Sequence, residues 1–300
     1  MGRRSAIGGR SSKSRMPGML NIPGILLLGI TCLEFPENIV LMNFKTLKIL
    51  LCLLAGTTTA FAQTAPDQMD LYLLIGQSNM AGRGTTDAAS QPNSPKIWAI
   101  NRQNEWKIAA DPLHQDKPAV VGVGPGLTFA QEILKKHPGR PIGLIPCAVG
   151  GSGIDDWQPG AKHEQTGIYA YDEMLARVKE AQKHGTIKGI IWHQGESDSS
   201  PEKKGAYAAK LADFFKRLRR DTHTENVPVV VGTLGDFYVA KNPDAAAINQ
   251  IIADYAKGNK LVYMASASGL VHKGDDTHFD TASARELGRR YAEAFLKKEE

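Results

Sequence analysis

Cysteine is scarce in this chain of 300 residues, which has only three. Cys32 and Cys52 lie within the first 62 residues, so Cys147 is alone in the remainder. A single cysteine excludes a disulfide framework, and the sequence also lacks HExxH and paired CxxC motifs. We therefore expect no metal and no cofactor, and a fold that depends on one large hydrophobic core.

Residues 63–300 also lack an excess of basic or acidic residues. The chain has 36 basic and 31 acidic residues, of which seven and two fall within the first 62 positions, so 29 of each remain beyond them. A neutral domain has no basic surface to attract phosphates, which argues against a nucleic-acid partner.

Residues 1–62 have the pattern of a leader. From Met42 the chain runs MNFKTLKILLCLLAGTTTAFAQ, which is a basic start, an apolar stretch and small residues before a cleavage site after Ala62. The segment before Met42 is interpreted as a leader extension or a mis-assigned start. The apolar stretch is too short for a stable membrane anchor. We expect a secreted or periplasmic protein with a single domain over residues 63–300.

Apolar β-prone runs alternate with amphipathic helical stretches beyond the leader, a pattern that predicts an α/β fold with a parallel sheet. The predicted strands are 71–75, 96–100, 142–149, 189–193, 228–234 and 261–265. The predicted helices are 126–136, 169–183, 201–220, 243–257 and 281–297.

The segment from Arg83 to Val123 interrupts this alternation, because it is rich in Asn, Gln, Pro and Asp. We interpret it as a long functional loop beside the site. The GVGPG run that begins at Gly122 resembles a dinucleotide loop only faintly, since its spacing is GxGxG and not GxGxxG.

The GQSNMAG segment places Ser78 directly after the first apolar strand. Gly76 allows a sharp turn, so the serine is expected at the carboxyl edge of the sheet, with its own N–H at a helix start. This position suits an exposed nucleophile with one oxyanion donor.

A second strand runs into the glycine-rich loop GGSG at Gly150–Gly153. Glycines can direct backbone N–H groups at a substrate oxygen, although a plain turn would have the same pattern. Trp157, which follows the loop, is either a platform for a sugar ring or a core residue.

The third segment, GIIWHQGESD, delivers Gln194, Glu196 and Asp198 at the end of another strand. The Gln194 amide is predicted to donate to the same oxyanion, and adjacent His193 then points to the opposite face. The two carboxylates are too close in sequence to flank a glycosidic bond, so we expect them to brace the loop. Glu196 is also a candidate substrate-binding residue.

The fourth segment, GDDTHFD, contains Asp275 and His278 three residues apart. In a helical turn this spacing lets the carboxylate orient the imidazole that accepts the proton of Ser78. The alternative is a surface histidine beside a helix cap at Asp276 or Asp280.

Together these motifs resemble the SGNH hydrolase superfamily, in the branch of sialate O-acetylesterase-like and acetylxylan esterase (carbohydrate esterase family 6) domains. The resemblance spans about residues 70–295 and includes PLH at Pro112–His114 and GVGPGLTFA at Gly122–Ala130. It implies a three-layer α/β/α flavodoxin-like fold and no metal.

The resemblance also implies roles for single residues. Ser78 would be the nucleophile, His278 the base and Asp275 its orienter, with an oxyanion hole from Ser78, Gly151 and Gln194. Gln194 stands where asparagine is usual in the superfamily. Whether Gly150 or Gly151 supplies the oxyanion N–H stays open.

The function expected from the resemblance is removal of O-acetyl groups from acetylated polysaccharide, with acetylxylan favoured. The alternatives are a sialate O-acetylesterase, a general short-chain acetyl esterase, or a carbohydrate-binding domain of esterase descent. The expected partner is the acetylated carbohydrate itself.

Overall fold

The computed structural model describes residues 65–297, so the predicted leader and its cleavage site lie outside the described residues. Seven strands form one sheet in the order β3-β2-β4-β1-β5-β6-β7. The strands are β1 Met69–Gly76, β2 Ile97–Ile100, β3 Trp106–Ile108, β4 Ile142–Pro146, β5 Gly185–His193, β6 Val229–Gly232 and β7 Val262–Ala265.

All neighbouring pairs are parallel except β2 with β3. Strand β3 was not predicted because it has three residues and follows β2 through a tight turn, in which Asn101 N–H donates to Glu105 O at 3.0 Å. A short turn reverses the chain, so this edge pair has to be antiparallel. The predicted α/β fold is confirmed, with one antiparallel edge added.

Seven helices connect or follow the strands in the described part of the chain. They are α1 Ser78–Ala81, α2 Gly126–Lys136, α3 Ala170–Ala181, α4 Pro201–Thr222, α5 Asp236–Lys241, α6 Asp244–Gly258 and α7 Thr281–Leu296. The five predicted helices agree with α2, α3, α4, α6 and α7 to within a few residues, whereas the short α5 was not predicted. None of the helices in residues 65–297 is long and apolar enough to cross a membrane.

The sheet is covered on both faces, as the uninterrupted apolar run in β1 predicts. Leu71, Leu73 and Ile75 belong to a core that contains side chains from α3, α4 and α6. Tyr72 and Leu74 point to the other face, into a core shared with α2 and α7. The result is the three-layer α/β/α arrangement.

This topology brings together residues that are distant in sequence. Strands β1, β4, β5, β6 and β7 are parallel, so their carboxyl ends meet at one edge of the sheet. Open α/β sheets bind ligands at that edge. The segments after these strands contain the predicted site residues.

Candidate active site

A tight turn after β1 positions Ser78. Gly76 has a φ of +129°, and a Cβ atom there would lie 2.1 Å from the carbonyl oxygen of His193. Only glycine fits this close approach of β1 to β5. Helix α1 then begins at Ser78, so the hydroxyl stands at the carboxyl edge of the sheet near its middle.

The three residues predicted as a triad lie together. Nε2 of His278 is 3.0 Å from Oγ of Ser78, and Nδ1 of His278 is 2.7 Å from Oδ2 of Asp275. Oδ1 of Asp275 also accepts from the N–H groups of Thr277 and His278, at 3.0 and 2.8 Å. The DxxH segment is therefore a turn closed by the aspartate and not a helical turn.

The electrostatics favour a neutral imidazole beside an ionised carboxylate. Partial burial opposes ionisation of Asp275, but hydrogen bonds from His278 and Thr277 hold its pKa at about 2, below the ordinary 3.8. Burial lowers the pKa of His278 below 6.5, against the opposing effect of Asp275. With Nδ1 donating to Asp275, Nε2 is free to accept the proton of the serine hydroxyl.

The backbone N–H groups near Ser78 differ in their availability. Gly150 N–H donates to Oδ2 of Asp116 at 2.7 Å and is already used. The N–H groups of Gly151 and Ser78 have no hydrogen-bond partner within residues 65–297. Gly151 has a φ of +89°, a conformation that glycine adopts readily.

A buried ion pair that no sequence motif predicts supports the glycine-rich loop at Gly150. Arg83 and Asp116 form a buried salt bridge at 2.9 Å, and Arg83 overcomes the effect of burial to lower the pKa of Asp116. Both residues belong to the segment predicted as a functional loop. No local pattern in the sequence pairs them, because 33 positions separate the two residues.

The predicted oxyanion role of Gln194 requires correction. Its side chain is 0% exposed, and its Nε2 donates to Oδ2 of Asp198 at 2.5 Å and to Ser152 O at 3.2 Å. Its Oε1 accepts from the hydroxyl of Tyr207 at 3.0 Å. Gln194 does not line the pocket, and its amide group is engaged by Asp198, Ser152 and Tyr207. His193 is equally buried, and burial lowers its pKa to about 3.

Gln77 is the glutamine that lines the pocket. Its Oε1 accepts from Nε2 of Gln194 and from the N–H groups of Gly195 and Ser197, at 3.2, 3.3 and 3.3 Å. Three donors fix the orientation of the amide, so Nε2 points away from them and has no partner among the described side chains and backbone groups. The position of Gln77 immediately before Ser78 was a signal in the sequence. The sequence did not show the direction of its side chain.

Trp157 also needs correction, because it cannot be a sugar platform. It is 0% exposed and packs edge-on against Trp192 and Phe214, with ring centroids 5.4 and 5.8 Å apart. Its Nε1 donates to Oγ of Ser152 at 3.1 Å. Trp157 is a core residue, which was the alternative interpretation of the sequence. Tyr238, in helix α5 after β6, is the aromatic residue that lines the pocket instead.

Glu196 lies at the pocket with a side chain that is only 4% exposed. Its Oε1 accepts from Nδ2 of Asn79 at 2.6 Å, whereas its Oε2 has no partner in the described structure. Burial raises the pKa of Glu196 to about 7, although the Asn79 hydrogen bond opposes this. Asp198 instead accepts from Gln194 and from Ile154 N–H at 2.9 Å, so it braces the loop.

The pocket above these residues is an open cleft of about 490 Å³. Its rim includes Lys117 and Val120 from the Arg83–Val123 loop, and Lys273 from the segment before Asp275. Within the described residues, no group of three His, Cys, Asp or Glu side chains is arranged to hold a metal ion. The cleft therefore presents a serine, a histidine, unpaired N–H donors and two lysines to a ligand.

Comparison with known proteins identifies the family of this chain. The family model for carbohydrate esterases described as sialic acid-specific acetylesterases matches residues 68–297. The chain is 32% identical over 251 residues to a probable carbohydrate esterase of Arabidopsis thaliana, with 75% of this chain and 90% of that protein covered.

Solved structures show the same fold. The crystal structure of the Arabidopsis thaliana protein superposes with a TM-score of 0.68 and 29% identity, over 77% of this chain and 98% of the other. A carbohydrate acetylesterase of Xanthomonas citri has a TM-score of 0.59 and 21% identity, over 76% and 56% of the two chains. NanS has a TM-score of 0.60 and 19% identity, over 79% and 99%. The chain belongs to the family of carbohydrate esterases described as sialic acid-specific acetylesterases.

Proposed function

We propose that this carbohydrate esterase removes O-acetyl groups from acetylated carbohydrate by a double displacement at Ser78. The observation that carries the proposal is the hydrogen-bonded chain from Ser78 Oγ through His278 to Asp275, at 3.0 and 2.7 Å. Such a chain activates a serine hydroxyl and stabilises the imidazolium that forms.

In the first half of the reaction, Ser78 Oγ bonds to the acetyl carbon while its proton passes to Nε2 of His278. The bond between the acetyl carbon and the sugar oxygen then breaks, and His278 returns the proton to that oxygen. Water attacks the acetyl-serine by the same route, which releases acetate and restores the hydroxyl. Asp275 remains ionised throughout.

The oxyanion formed in each half is proposed to accept from Ser78 N–H, Gly151 N–H and Nε2 of Gln77. This assignment is supported by the unpaired state of these donors in the described structure, whereas Gly150 and Gln194 are already engaged. Removing one such donor costs about 3–4 kcal/mol of transition-state stabilisation.

Acetylxylan is our proposed polysaccharide, on the basis of the motifs at Pro112–His114 and Gly122–Ala130. A second candidate, the acetyl esters of sialic acid, is favoured by a separate observation. Lys117 and Lys273 both line the cleft. Lys273 Nζ lies 3.9 Å from the ionised Asp275, whereas the Lys117 ammonium donates to the neutral Gln165. Burial favours the neutral form of Glu196. A cationic rim attracts a sugar that carries a carboxylate.

Export of the protein, with cleavage after Ala62, is part of the same proposal. A polymeric or extracellular glycan is accessible only to an enzyme outside the cytoplasm. The leader-like composition that begins at Met42 supports this location.

Acetate release tests the reaction and the substrate together. The protein and its Ser78→Ala variant are given acetylated xylan and O-acetylated sialic acid in parallel, with Ser268→Ala as an exposed-serine control. We expect release that is lost in Ser78→Ala and retained in Ser268→Ala. Release that survives in Ser78→Ala would refute the serine mechanism.

The rim lysines decide between the two substrates. If the acidic sugar is the substrate, Lys117→Ala and Lys273→Ala should raise KM for O-acetylated sialic acid, and added salt should reduce the difference. KM for acetylated xylan should be unaffected. A preference for acetylated xylan with no salt effect would establish the first candidate.

A further inference from the structure

The side chain of Asn79 links the nucleophile to the segment that contains the base. Asn79 directly follows Ser78 in α1 and is 5% exposed. Its Nδ2 donates to Thr277 O at 3.0 Å, and its Oδ1 accepts from Phe279 N–H at 3.1 Å. Thr277 and Phe279 are the two neighbours of His278. One amide therefore holds the backbone on both sides of the catalytic imidazole.

The geometry of this link leaves the amide only one orientation. A flipped Asn79 would direct its oxygen at a carbonyl oxygen and its NH₂ group at an N–H, which would lose both hydrogen bonds. The segment around His278 forms neither a helix nor a strand. It is closed mainly by its own hydrogen bonds, which are those accepted by Asp275 and the one from Lys273 N–H to His278 O at 2.8 Å. The Asn79 bonds connect this turn to the residue beside the nucleophile.

Glu196 completes the arrangement from a third segment of chain. Its Oε1 accepts the second amide hydrogen of Asn79 at 2.6 Å, so both hydrogens of Nδ2 have acceptors. The carboxyl group is buried, and the hydroxyl of Tyr238 donates to the backbone oxygen of Glu196 at 2.9 Å. Tyr238 thus holds the backbone of Glu196, and the buried carboxyl group provides the acceptor for Asn79.

We infer that Asn79 and Glu196 are positioning residues that set the distance between Ser78 Oγ and His278 Nε2. This inference rests on the proposed serine mechanism. Neither side chain transfers the proton; Asn79 holds the His278 backbone and Glu196 holds Asn79. Misplacing a catalytic group by about 1 Å costs on the order of 100-fold in rate, so loss of the link should reduce turnover strongly.

Steady-state kinetics of the full protein on an activated aryl acetate test this inference. Asn79→Ala should reduce kcat by about 30- to 100-fold and change KM by less than about threefold, since the amide orders the base and does not hold the ester. The isosteric Asn79→Asp variant should lose turnover similarly, because it accepts from Phe279 but cannot donate to Thr277. It keeps the test valid if Asn79→Ala does not fold.

Glu196 supplies the matched pair of variants. Glu196→Gln retains an oxygen that accepts from Asn79, so kcat should stay within about threefold, whereas Glu196→Ala should approach the loss seen for Asn79→Ala. The double variant Asn79→Ala/Glu196→Ala should be no slower than Asn79→Ala, because linked residues are non-additive. Circular dichroism and thermal melting establish that each variant is folded.

Three results would overturn the inference. They are a kcat for folded Asn79→Ala within threefold of the parent, a rise in KM with kcat preserved, or losses that add in the double variant. Ser78→Ala is measured alongside to separate the two proposals. An active Ser78→Ala refutes the serine mechanism, whereas an inactive Ser78→Ala with a fully active Asn79→Ala refutes only the positioning role.

Discussion

His278 and Ser78 are separated by 200 positions, yet Nε2 of one lies 3.0 Å from Oγ of the other. The contact forms because β1 and β7 are parallel strands of one sheet whose carboxyl ends open onto the same cleft.

The first prediction concerns pH and Asp275. Because burial lowers the pKa of His278 below 6.5 and the neutral imidazole is the active form, kcat/KM should rise with pH through a value below 6.5 and then level off. Asp275→Asn should reduce kcat by about 10³- to 10⁴-fold, since it no longer orients the tautomer. A pH–rate profile of both proteins measures this. An acid limb above 6.5, or an Asp275→Asn variant with full activity, would contradict the assignment.

The Gln77→Glu variant tests whether Gln77, and not Gln194, donates to the oxyanion. The substituted carboxylate still accepts from Gly195 and Ser197 N–H but has lost the amide donor that faces the cleft. We expect kcat to fall by about 10²- to 10³-fold with the fold intact. Gln194→Ala should instead lower the melting temperature, because it leaves buried Asp198 without its closest donor. Full activity in folded Gln77→Glu would exclude it from the oxyanion hole.

Trp157→Ala should destabilise the protein without weakening substrate binding. The ring is fully buried between Trp192 and Phe214, so its removal leaves a cavity and should lower the free energy of unfolding by about 3–5 kcal/mol. Urea denaturation measures this loss, and KM should be unchanged. Tyr238→Ala, at the cleft, is the control for which KM should rise. A rise in KM for Trp157→Ala with unchanged stability would restore the platform interpretation.

Glu196→Gln should change how stability depends on pH. Burial raises the pKa of Glu196 in the folded state to about 7 from 4.5, so the folded state prefers the protonated acid. This preference stabilises the fold at low pH and is lost as pH rises through about 7. Relative to Glu196→Gln, the parent should lose on the order of 2 kcal/mol of unfolding free energy between about pH 5 and pH 8.

His193 and Asp198 lie near Glu196 and are present in both proteins, so the comparison of the parent with Glu196→Gln removes most of their own contribution. Chemical denaturation at several pH values provides the measurement. Parallel stability curves for the two proteins would mean that Glu196 ionises normally.

The sequence by itself was sufficient for the α/β fold and for the catalytic candidates. Alternating apolar runs and amphipathic stretches are local patterns, and the parallel sheet follows from them. Ser78, Asp275 and His278 were recognised because each follows a strand, and because parallel strands end at a common edge. The leader that begins at Met42 lies outside the described residues and stays a prediction.

Tertiary structure alone decided the direction of individual side chains. Gln77 and Gln194 are chemically identical, and the choice between them depends on Asp198, Ser152 and Tyr207, which surround one amide and leave the other facing the cleft. Local sequence does not determine such contacts, because they are set by packing between segments distant in the chain. The same reason explains the burial of Trp157. It also explains the link from Asn79 to both neighbours of His278, which only the folded chain assembles.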